Sequence, residues 1–427
     1  MSMPTFSVVH RVSGCSWIPS GVTALSVSAD RYVAIGRDNG NVEVWALDGW
    51  SRLHCLVGGD ASAAEAVCWT PDGRVLSAGL NGAVTLWDLS TRRPLEVVDS
   101  YGGAVWAMAF SEATSTLAIA CEDGCIRLFD YTPADSGSVV YRCALSGFSG
   151  RSLSVAWSGD GSGLFAGGSD GTIRRWVPSA HGAPTCDLIV STNTRGPAGE
   201  STLIWSLAVA AGGTIVSGDS RGFTKFWDGQ YGTLIQEFRG HVADVLAVAV
   251  GNGGRSVFSC GADPSTVHFR CRDRQIDGGS ETVSQWVLSS KQSAAHTHDV
   301  RAMAIVPRTA DAQELLLSGG VDTMLCSVAL DRFNDVGYKR HWPSPLGPAA
   351  SLTQISSDEV PPIMLFRHDT HLEVWRLGTQ RAAAARADSM LDGDTLDAAT
   401  DPRVLVEVRP KAARTMTGSC IAPDGRW

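Results

Sequence analysis

The sequence predicts an all-β fold made of a repeated four-stranded unit, and three observations predict it. One phrase recurs along the chain: an apolar strand, a small-residue pair, a turn centred on Asp or Asn, and a second strand that reaches Trp or Phe. The copies return at a regular period, and four of their turns carry Asn-Gly or Asp-Gly pairs. Helix caps and 3.6-residue apolar spacing are almost absent. We therefore expect a β-propeller, whose blades are four-stranded sheets.

An aromatic residue marks the same place in most copies, six positions after the turn residue. The predicted blade aromatics are Trp45, Trp87, Phe129, Trp176, Trp227, Phe269 and, in an eighth copy, Trp375. Val328 takes this place in the seventh copy. Successive positions lie 42, 42, 47, 51, 42, 59 and 47 residues apart, close to the spacing of about 40 to 45 residues that WD40 blades show. The period therefore predicts a propeller of the WD40 type.

The copies between Val22 and Asp331 predict one ring of seven blades. We expect residues 1–340 to form it, closed by an N-terminal strand, "FSVVHRVSGCSW", that supplies the outer strand of blade seven, because that segment would otherwise leave open strand edges. Prolines indicate a linker at 341–349. Residues 350–427 predict the first blade of a second, incomplete propeller and the start of the next blade, with a mobile insertion near 379–402.

Composition argues against several classes of protein. No stretch approaches the ~18 apolar residues of a membrane span, and the N-terminus lacks the basic start and apolar run of a secretory signal. Eleven cysteines stand without any CxxC pair, which is typical of reduced thiols in the cytosol or nucleus. The formal net charge of -9 argues against nucleic-acid binding by bulk attraction and leaves local basic patches open.

Two motifs that resemble catalytic or metal sites have better structural interpretations. The phrase "GGSDG" at 167–171 matches the GxSxG nucleophile pattern, but it lies between two strands, whereas that pattern needs a strand-to-helix turn. His296 and His298 lack a third ligand at metal-site spacing. We expect no catalytic residue, no metal, no cofactor and no small-molecule substrate.

Two histidines, each just before an innermost strand, predict networks that fasten a blade. Propellers of the WD type commonly join a His, a Ser or Thr, a turn Asp and a Trp by hydrogen bonds. The predicted members are His241, Ser259, Asp263 and Phe269 in blade six, and His296, Ser318 and Asp322 in blade seven. Phe269 and Val328 stand where the Trp would be, so we expect these blades to depend more on packing.

Two basic clusters are candidates for contact with RNA or a partner. They are Arg270, Arg272 and Arg274 in the sixth copy, and Lys339 and Arg340 after the seventh. Both lie at strand ends or loops, where propellers bind partners. Plain solvated charge is the alternative interpretation of each.

The quoted phrases also carry a resemblance to a known family. "HRV" near the start, "AIGRDNGNVEVW", "LSAGLNGAVTLWDL", "DSYGGAVWAMA", "ACEDGCIRLFD", "IVSGDSRGFTKFWDG", "HVADVLAVAV", "HTHDVRAMA" and "SGGVDT" follow in order between residue 10 and about residue 331. In these phrases the chain resembles the cirhin family, a WD-repeat subunit of the UtpA subcomplex in the small-subunit processome. The sequence departs from that family by stopping when a second propeller has barely begun.

The resemblance implies a nuclear, nucleolar factor of ribosome biogenesis. Such a protein is a scaffold that helps assemble UtpA and other processome proteins on the 5′ external transcribed spacer of pre-rRNA. A second hypothesis is a generic WD-repeat adaptor, such as a ubiquitin-ligase substrate receptor, although the Trp-Asp-x-Arg signal of those receptors is missing at Trp87 and Trp227. A propeller enzyme ranks last, because the innermost strands offer mainly Ala, Val, Ser and Leu.

Overall fold

The fold is given by a computed structural model, which describes residues 19–58, 62–133, 137–179, 182–192, 201–275, 282–309, 312–334, 337–341, 349–352, 363–368, 371–376, 403–409 and 418–422. The chain divides into two compact units: Ser20–Pro343, and Met1–Pro19 together with Ser344–Trp427. The division at Pro343 falls inside the predicted linker.

The described part of the Ser20–Pro343 unit forms seven four-stranded antiparallel sheets. Sheet one contains β1 (Val22–Val27), β2 (Tyr32–Arg37), β3 (Val42–Ala46) and β4 (Ser51–Leu56). Sheet two contains β5 (Ala66–Trp69), β6 (Val75–Ala78), β7 (Ala83–Asp88) and β8 (Arg93–Asp99). Sheet three contains β9 (Val105–Ser111), β10 (Thr116–Cys121), β11 (Ile126–Thr132) and β12 (Ser138–Leu145). Sheet four contains β13 (Ser152–Trp157), β14 (Leu164–Gly168), β15 (Thr172–Ser179) and β16 (Gly182–Ser191).

The remaining three sheets of this unit repeat the same order. Sheet five contains β17 (Ile204–Val209), β18 (Thr214–Asp219), β19 (Phe223–Asp228) and β20 (Leu234–Arg239). Sheet six contains β21 (Val245–Gly251), β22 (Ser256–Gly261), β23 (Thr266–Gln275) and β24 (Thr282–Gln292). Sheet seven contains β25 (Val300–Val306), β26 (Leu315–Gly320), β27 (Leu325–Ala329) and β28 (Lys339–His341). Short 3-10 turns lie at Ala211–Gly213, Asn252–Gly254 and Leu330–Arg332.

The sheets follow one another as the blades of a propeller do. The first strand of each sheet contacts the first strand of the next, and β25 of sheet seven contacts β1 of sheet one. A buried apolar cluster fills each of the seven gaps between successive sheets. In the gap between sheets seven and one, Val22 and Trp45 pack with Leu317 and Leu325. The predicted all-β fold of repeated four-stranded units is therefore confirmed.

A buried ion pair adds a polar link across the gap between sheets seven and one. Arg37 donates from Nη2 to Glu43 at 2.8 Å and from Nη1 to the carbonyl oxygen of Thr323 in sheet seven at 3.1 Å. Arg52 and the Trp45 indole donate to the same carboxylate at 3.1 and 2.9 Å. Burial alone would raise the pKa of Glu43, but the two guanidinium groups hold it below its usual value.

The Asn-Gly and Asp-Gly turns have the predicted backbone geometry. Gly82 and Gly124 have φ angles of 74° and 81°, in the left-handed region that favours glycine. The side-chain oxygen of the residue before each glycine accepts a backbone N–H two residues on, at 3.1 Å from Ala83 and 3.0 Å from Cys125. The Asn-Gly and Asp-Gly turns join the second and third strands in each of sheets one to four.

The outer edge of sheet seven differs from the sequence-based expectation. The strand that pairs with β27 is β28, with Leu325 opposite His341 and Ser327 opposite Lys339. The sequence predicts the N-terminal segment at this edge. A strand that follows β27 along the chain can pair there instead, because closing the short loop between them costs little conformational entropy. Residues 1–18 lie outside the described part, so their own pairing stays a prediction.

The described residues of the second unit form one further four-stranded sheet. This eighth sheet contains β29 (Ala349–Leu352), β30 (Ile363–Arg367), β31 (Leu372–Arg376) and β32 (Arg403–Val408). The predicted insertion at 379–402 lies outside the described part. Among the residues described in either unit, no helix has the length and apolar character required to cross a membrane.

Candidate partner-binding surfaces

The histidine of sheet six joins the loop before β21 to the turn between β22 and β23. His241 Nδ1 lies 2.7 Å from Asp263 Oδ1, and Nε2 lies 2.8 Å from Ser259 Oγ. Burial lowers the pKa of His241, and Asp263 only partly opposes this effect. The neutral ring therefore donates from Nδ1 to the carboxylate and accepts the serine hydroxyl at Nε2. The backbone N–H of Val242 donates to the other carboxylate oxygen at 3.3 Å.

Sheet seven repeats this arrangement. His296 Nδ1 lies 3.0 Å from Asp322 Oδ1, and Nε2 lies 2.9 Å from Ser318 Oγ. The backbone N–H of Thr297 donates to Asp322 at 3.1 Å. Both ring nitrogens of His296 are thus engaged, whereas His298 is exposed and contacts the hydroxyl of Thr297. The structure does not bring the two histidines together as metal ligands.

Tryptophan takes the place of histidine in sheets two and five. The Trp87 indole donates to Ser77 Oγ at 2.7 Å, and the Trp227 indole donates to Ser217 Oγ at 2.9 Å. These serines have the same strand register as the serines of the histidine networks: each lies opposite the residue two positions before the blade aromatic. In these four sheets the serine therefore pairs with either Trp or His.

The other blade aromatics stabilise their sheets mainly by packing. Phe129 packs edge-on against Tyr141 with ring centres 5.7 Å apart, and Trp176 packs edge-on against Phe148 at 6.1 Å. Phe269 lies 5.6 Å from Phe226 and is fully buried. At the non-aromatic position, Val328 belongs to a buried cluster with Leu330 and Phe333. Phe333 thus supplies an aromatic ring to the cluster that contains Val328, the residue at the blade-aromatic position.

A central cavity of roughly 580 Å³ is enclosed by the innermost strands of the seven sheets. Six of those strands contain a β-bulge one residue after their start, at the end where the turns between second and third strands lie. The bulged residue turns toward the cavity entrance. The six bulged residues are Thr23, Trp106, Leu153, Trp205, Leu246 and Arg301. In sheet two, Glu65 lies directly before β5 and also lines the cavity. We call these seven residues the channel mouth.

Carboxylates and aromatic rings dominate the chemistry around the channel mouth. Trp106 donates to Glu122 at 2.7 Å, and Trp205 donates to Asp244 at 2.8 Å. Arg151 pairs with Glu122 at 2.6 Å and lies 5.5 Å from the centre of the Trp106 ring.

Glu65 adds a partly desolvated carboxyl group to this surface. Burial raises its pKa, an effect that the charge of Arg301 partly offsets and that of Asp38 strengthens. Such a surface suits a cationic group better than a phosphate.

Exposed apolar side chains surround the mouth on the same end of the sheets. Leu80 and Val321, at turns between second and third strands, are 44% and 40% exposed. Tyr101 and Val242, in loops that enter innermost strands, are 61% and 81% exposed. Apolar and aromatic groups around a cavity with fixed charges are typical of protein-binding surfaces.

The basic residues of sheet six lie toward the other end of the sheet. Arg270, Arg272 and Arg274 occupy alternate positions on β23: Arg270 lies opposite Ser256 in the last pair with β22, and the other two lie beyond that pairing, toward the β23–β24 turn. Arg272 is exposed and Arg270 is half-buried, and within the described residues neither makes an ion pair. Asp273, on the opposite side of the strand, is paired with Arg255 at 2.6 Å. The cationic side of β23 is therefore left for an external anion.

In the second basic cluster both residues are exposed, but within the described part of the chain only Arg340 is hydrogen-bonded to a neighbouring loop. Arg340 donates from Nε to the carbonyl oxygen of Ala295 at 3.0 Å and from Nη2 to that of Ala294 at 2.5 Å. It thereby fixes β28 to the loop that carries His296. Lys339 is exposed. Of this pair, Lys339 is the better candidate for a partner contact.

The channel mouth is a candidate binding surface that the sequence motifs did not indicate. A signal was present, since Trp106, Trp205 and Arg301 each stand one residue into an innermost strand, in "AVWAMAF", "IWSLAVA" and "DVRAMAI". The alternation of a regular strand would place them between sheets. Only the bulge turns them toward the cavity, and bulges are not visible in a residue pattern of this kind.

The fold and these networks define the class as that of proteins with WD repeats and sheets arranged as in a β-propeller. Four segments match the family described as WD domain, G-beta repeat: residues 50–88, 92–130, 141–176 and 232–267. They cover most of sheets two and three and parts of sheets one, four, five and six. The repeat period and the family match therefore agree.

Several relatives that align with most of the chain share one name. The chain is 31% identical over 422 residues to the human "U3 small nucleolar RNA-associated protein 4 homolog", covering 98% of this chain and 58% of that protein. Identity to "U3 small nucleolar RNA-associated protein 4" is 32% in Schizosaccharomyces pombe, over 87% of this chain and 51% of the relative. Identity to the Saccharomyces cerevisiae protein of the same name is 30%, over 87% of this chain and 48% of the relative. The chain spans about half the length of these curated relatives.

Proposed function

We propose that the chain is a non-catalytic scaffold in ribosome biogenesis, acting in pre-rRNA processing in the nucleolus. The observation that carries this proposal is the alignment, at about 30% identity, of 87 to 98% of the chain with proteins named for association with U3 small nucleolar RNA. Similarity of the propeller fold alone would match proteins of many functions and would not favour this one over the others. The same observation supports, as finer parts of the proposal, partners in the UtpA subcomplex and contact with the 5′ external transcribed spacer.

The proposed architecture is a seven-bladed propeller followed by the start of a second one. Support comes from the contact between β25 and β1 and from the seven buried clusters between sheets. The eighth sheet, with Trp375 at the blade-aromatic position, supports the second propeller. A ring of this kind holds its turns in fixed positions, as a scaffold requires.

We assign the two kinds of partner to opposite ends of the sheets. The channel mouth, whose two tryptophans are held by Glu122 and Asp244, fits a basic segment of a protein, because these carboxylates would repel phosphate. Arg270 and Arg272 of β23, which make no ion pair within the described residues, fit the RNA backbone. The proposal of a non-catalytic role rests on the cavity walls, which are mainly Ala, Val, Leu and Ser side chains.

A co-purification experiment tests the proposal. The tagged chain is expressed in growing eukaryotic cells, and bound proteins and RNA are identified by mass spectrometry and sequencing. We expect enrichment of pre-rRNA spacer sequence, U3 RNA and their associated proteins. Recovery of ubiquitin-ligase subunits without pre-rRNA would refute the scaffold proposal and support the adaptor hypothesis.

A further inference from the structure

The hairpin of β30 and β31 in the eighth sheet carries two histidines at the ends of its turn. The backbone N–H of His368 donates to the carbonyl oxygen of His371 at 2.9 Å and closes the turn. The two imidazole rings stack with centres 4.3 Å apart and planes 5° from parallel. Two residues into the following strand, Glu373 points toward both rings. The turn thus collects two imidazoles and one carboxylate.

The donor atoms of these three side chains lie within reach of one ion. His371 Nε2 lies 3.1 Å from Glu373 Oε1, and His368 Nε2 lies 3.4 Å from Oε2. One ligand atom from each residue can be chosen so that all lie within 4.8 Å of one another. Ligands about 2.0 to 2.1 Å from a tetrahedral zinc ion are separated by about 3.3 Å. The observed spacing therefore needs only a small rotation of the stacked rings.

Within the described residues, a buried nitrogen of His368 has no hydrogen-bond partner. Its Nε2 is close to Glu373 Oε2, but the arrangement does not satisfy hydrogen-bond geometry, and the atom is shielded from solvent. A buried nitrogen without a partner is unfavourable. A metal ion between the rings and the carboxylate would satisfy it.

Sheet one shows the same carboxylate position without histidines. The phrase "VEVWA" there corresponds to "LEVWR" in the eighth sheet, and the Trp donates to the Glu in both, at 2.9 Å from Trp45 and 2.8 Å from Trp375. Glu43 is neutralised by the permanent charges of Arg37 and Arg52. Glu373 instead faces imidazoles, which offer lone pairs when neutral.

The carboxyl group of Glu373 is suited to bind a cation. Burial opposes its ionisation, but hydrogen bonds from Trp375 and His371 hold its pKa below the usual value. The Trp375 indole also fixes the orientation of the carboxylate, as partners of metal ligands commonly do. Within the described residues, this is the one group of three such side chains close enough to hold a metal.

We propose that His368, His371 and Glu373 bind one first-row divalent transition-metal ion of the Zn²⁺ type. Two imidazoles and one carboxylate favour zinc and its neighbours over Mg²⁺ or Ca²⁺, which prefer oxygen ligands alone. Three protein ligands leave a fourth position for water or a partner's side chain. The ion joins both ends of the β30–β31 turn and stabilises the hairpin.

Zinc titration of the full 427-residue chain tests this site. The protein is freed of metal with a chelator, and Zn²⁺ is added in competition with a chromophoric chelator. We compare the wild type with His371→Gln, Glu373→Gln and Trp375→Phe, and use the exposed His298→Gln as the matched control. The eleven cysteines are common to every protein and set the same background.

We expect the wild type and His298→Gln to bind one zinc ion more tightly than the other variants. Loss of a ligand in His371→Gln or Glu373→Gln should weaken that binding by at least about 100-fold, and loss of the indole donor in Trp375→Phe by about 10-fold, in the range seen for outer-shell partners. Equal zinc binding by wild type and both ligand variants would overturn the proposal.

The melting temperature of each metal-free protein separates loss of a ligand from loss of folding. His371→Gln should melt within about 2 °C of the wild type without zinc, and only the wild type and the control should melt higher when zinc is added. If zinc raises the melting temperature of no protein, the cluster does not bind the ion and the metal proposal is wrong.

Discussion

At the scale of single residues, the buried histidines decide how the blades are fastened. His241 and His296 satisfy both ring nitrogens, whereas His268 in β23 satisfies neither. His268 instead stacks on Phe258, with ring centres 4.4 Å apart, and is 1% exposed. The same residue type therefore serves as a polar fastener in two places and as an apolar ring in a third.

We expect His241→Ala to lower the free energy of unfolding by about 1 to 3 kcal/mol, because it leaves Ser259 and Asp263 buried without their partner. Urea unfolding at pH 7.5 measures the change. His298→Ala, at an exposed position, is the matched control and should cost less than about 0.5 kcal/mol. A cost for His241→Ala no larger than for the control would show that the network does not fasten blade six.

His268 predicts a loss of stability in acid. Burial, with a smaller contribution from the charge of Arg270, lowers its pKa from 6.5 to about 4 in the folded protein. Between these values the unfolded chain binds a proton that the folded chain does not, so stability is complete above pH 6.5 and falls as the pH decreases toward 4. His341, stacked on Trp50, has a pKa of about 4 and adds a change of the same sign.

Replacing His268 by Leu should reduce this pH dependence. We expect the difference in the free energy of unfolding between pH 7 and pH 4.5 to decrease by up to about 3 kcal/mol, with the part due to His341 retained. Urea unfolding at the two pH values gives the difference. An unchanged difference would mean that His268 is protonated inside the folded protein.

At the scale of elements, residue patterns predict whatever each repeat encodes locally. The turn glycines, the blade aromatics and the His, Ser and Asp residues of sheets six and seven could be predicted, since each lies at a fixed offset within its own copy. The network of Arg37, Glu43 and Thr323 could not be predicted, because Arg37 and Thr323 lie 286 residues apart in the sequence. Phe333 could not be predicted because its packing depends on Phe258 in the neighbouring sheet. The bulges of the channel mouth could not be predicted because a residue pattern does not show irregular strand pairing.

The extended β23–β24 hairpin gives a prediction for RNA binding. Replacing Arg270 and Arg272 together by Glu should weaken binding to single-stranded spacer RNA and make the slope of log K against log salt shallower by about 1.4, the value for two lost phosphate contacts. Filter binding at several salt concentrations measures both quantities. Arg142→Glu is the control, because Arg142 is already paired with Asp130. Equal slopes for all three proteins would contradict a role of β23 in RNA contact.

At the scale of the whole Ser20–Pro343 unit, the two ends of the sheets differ in chemical character. One end has the channel mouth, with tryptophans held by carboxylates and surrounded by exposed apolar turns. The other end has the arginines of β23. This division is the structural argument for the proposal that a protein partner and RNA bind at opposite ends of the sheets.

The most direct test of the scaffold proposal is quantitative co-purification of wild type and the double variant Trp106→Ala, Trp205→Ala. Both tryptophans are partly exposed at the mouth, so we expect little change in melting temperature. The proposal predicts that U3-associated proteins fall at least about tenfold, as for loss of binding hot spots, while direct binding of spacer RNA in vitro is retained. Undiminished recovery of those proteins with the folded double variant would contradict it.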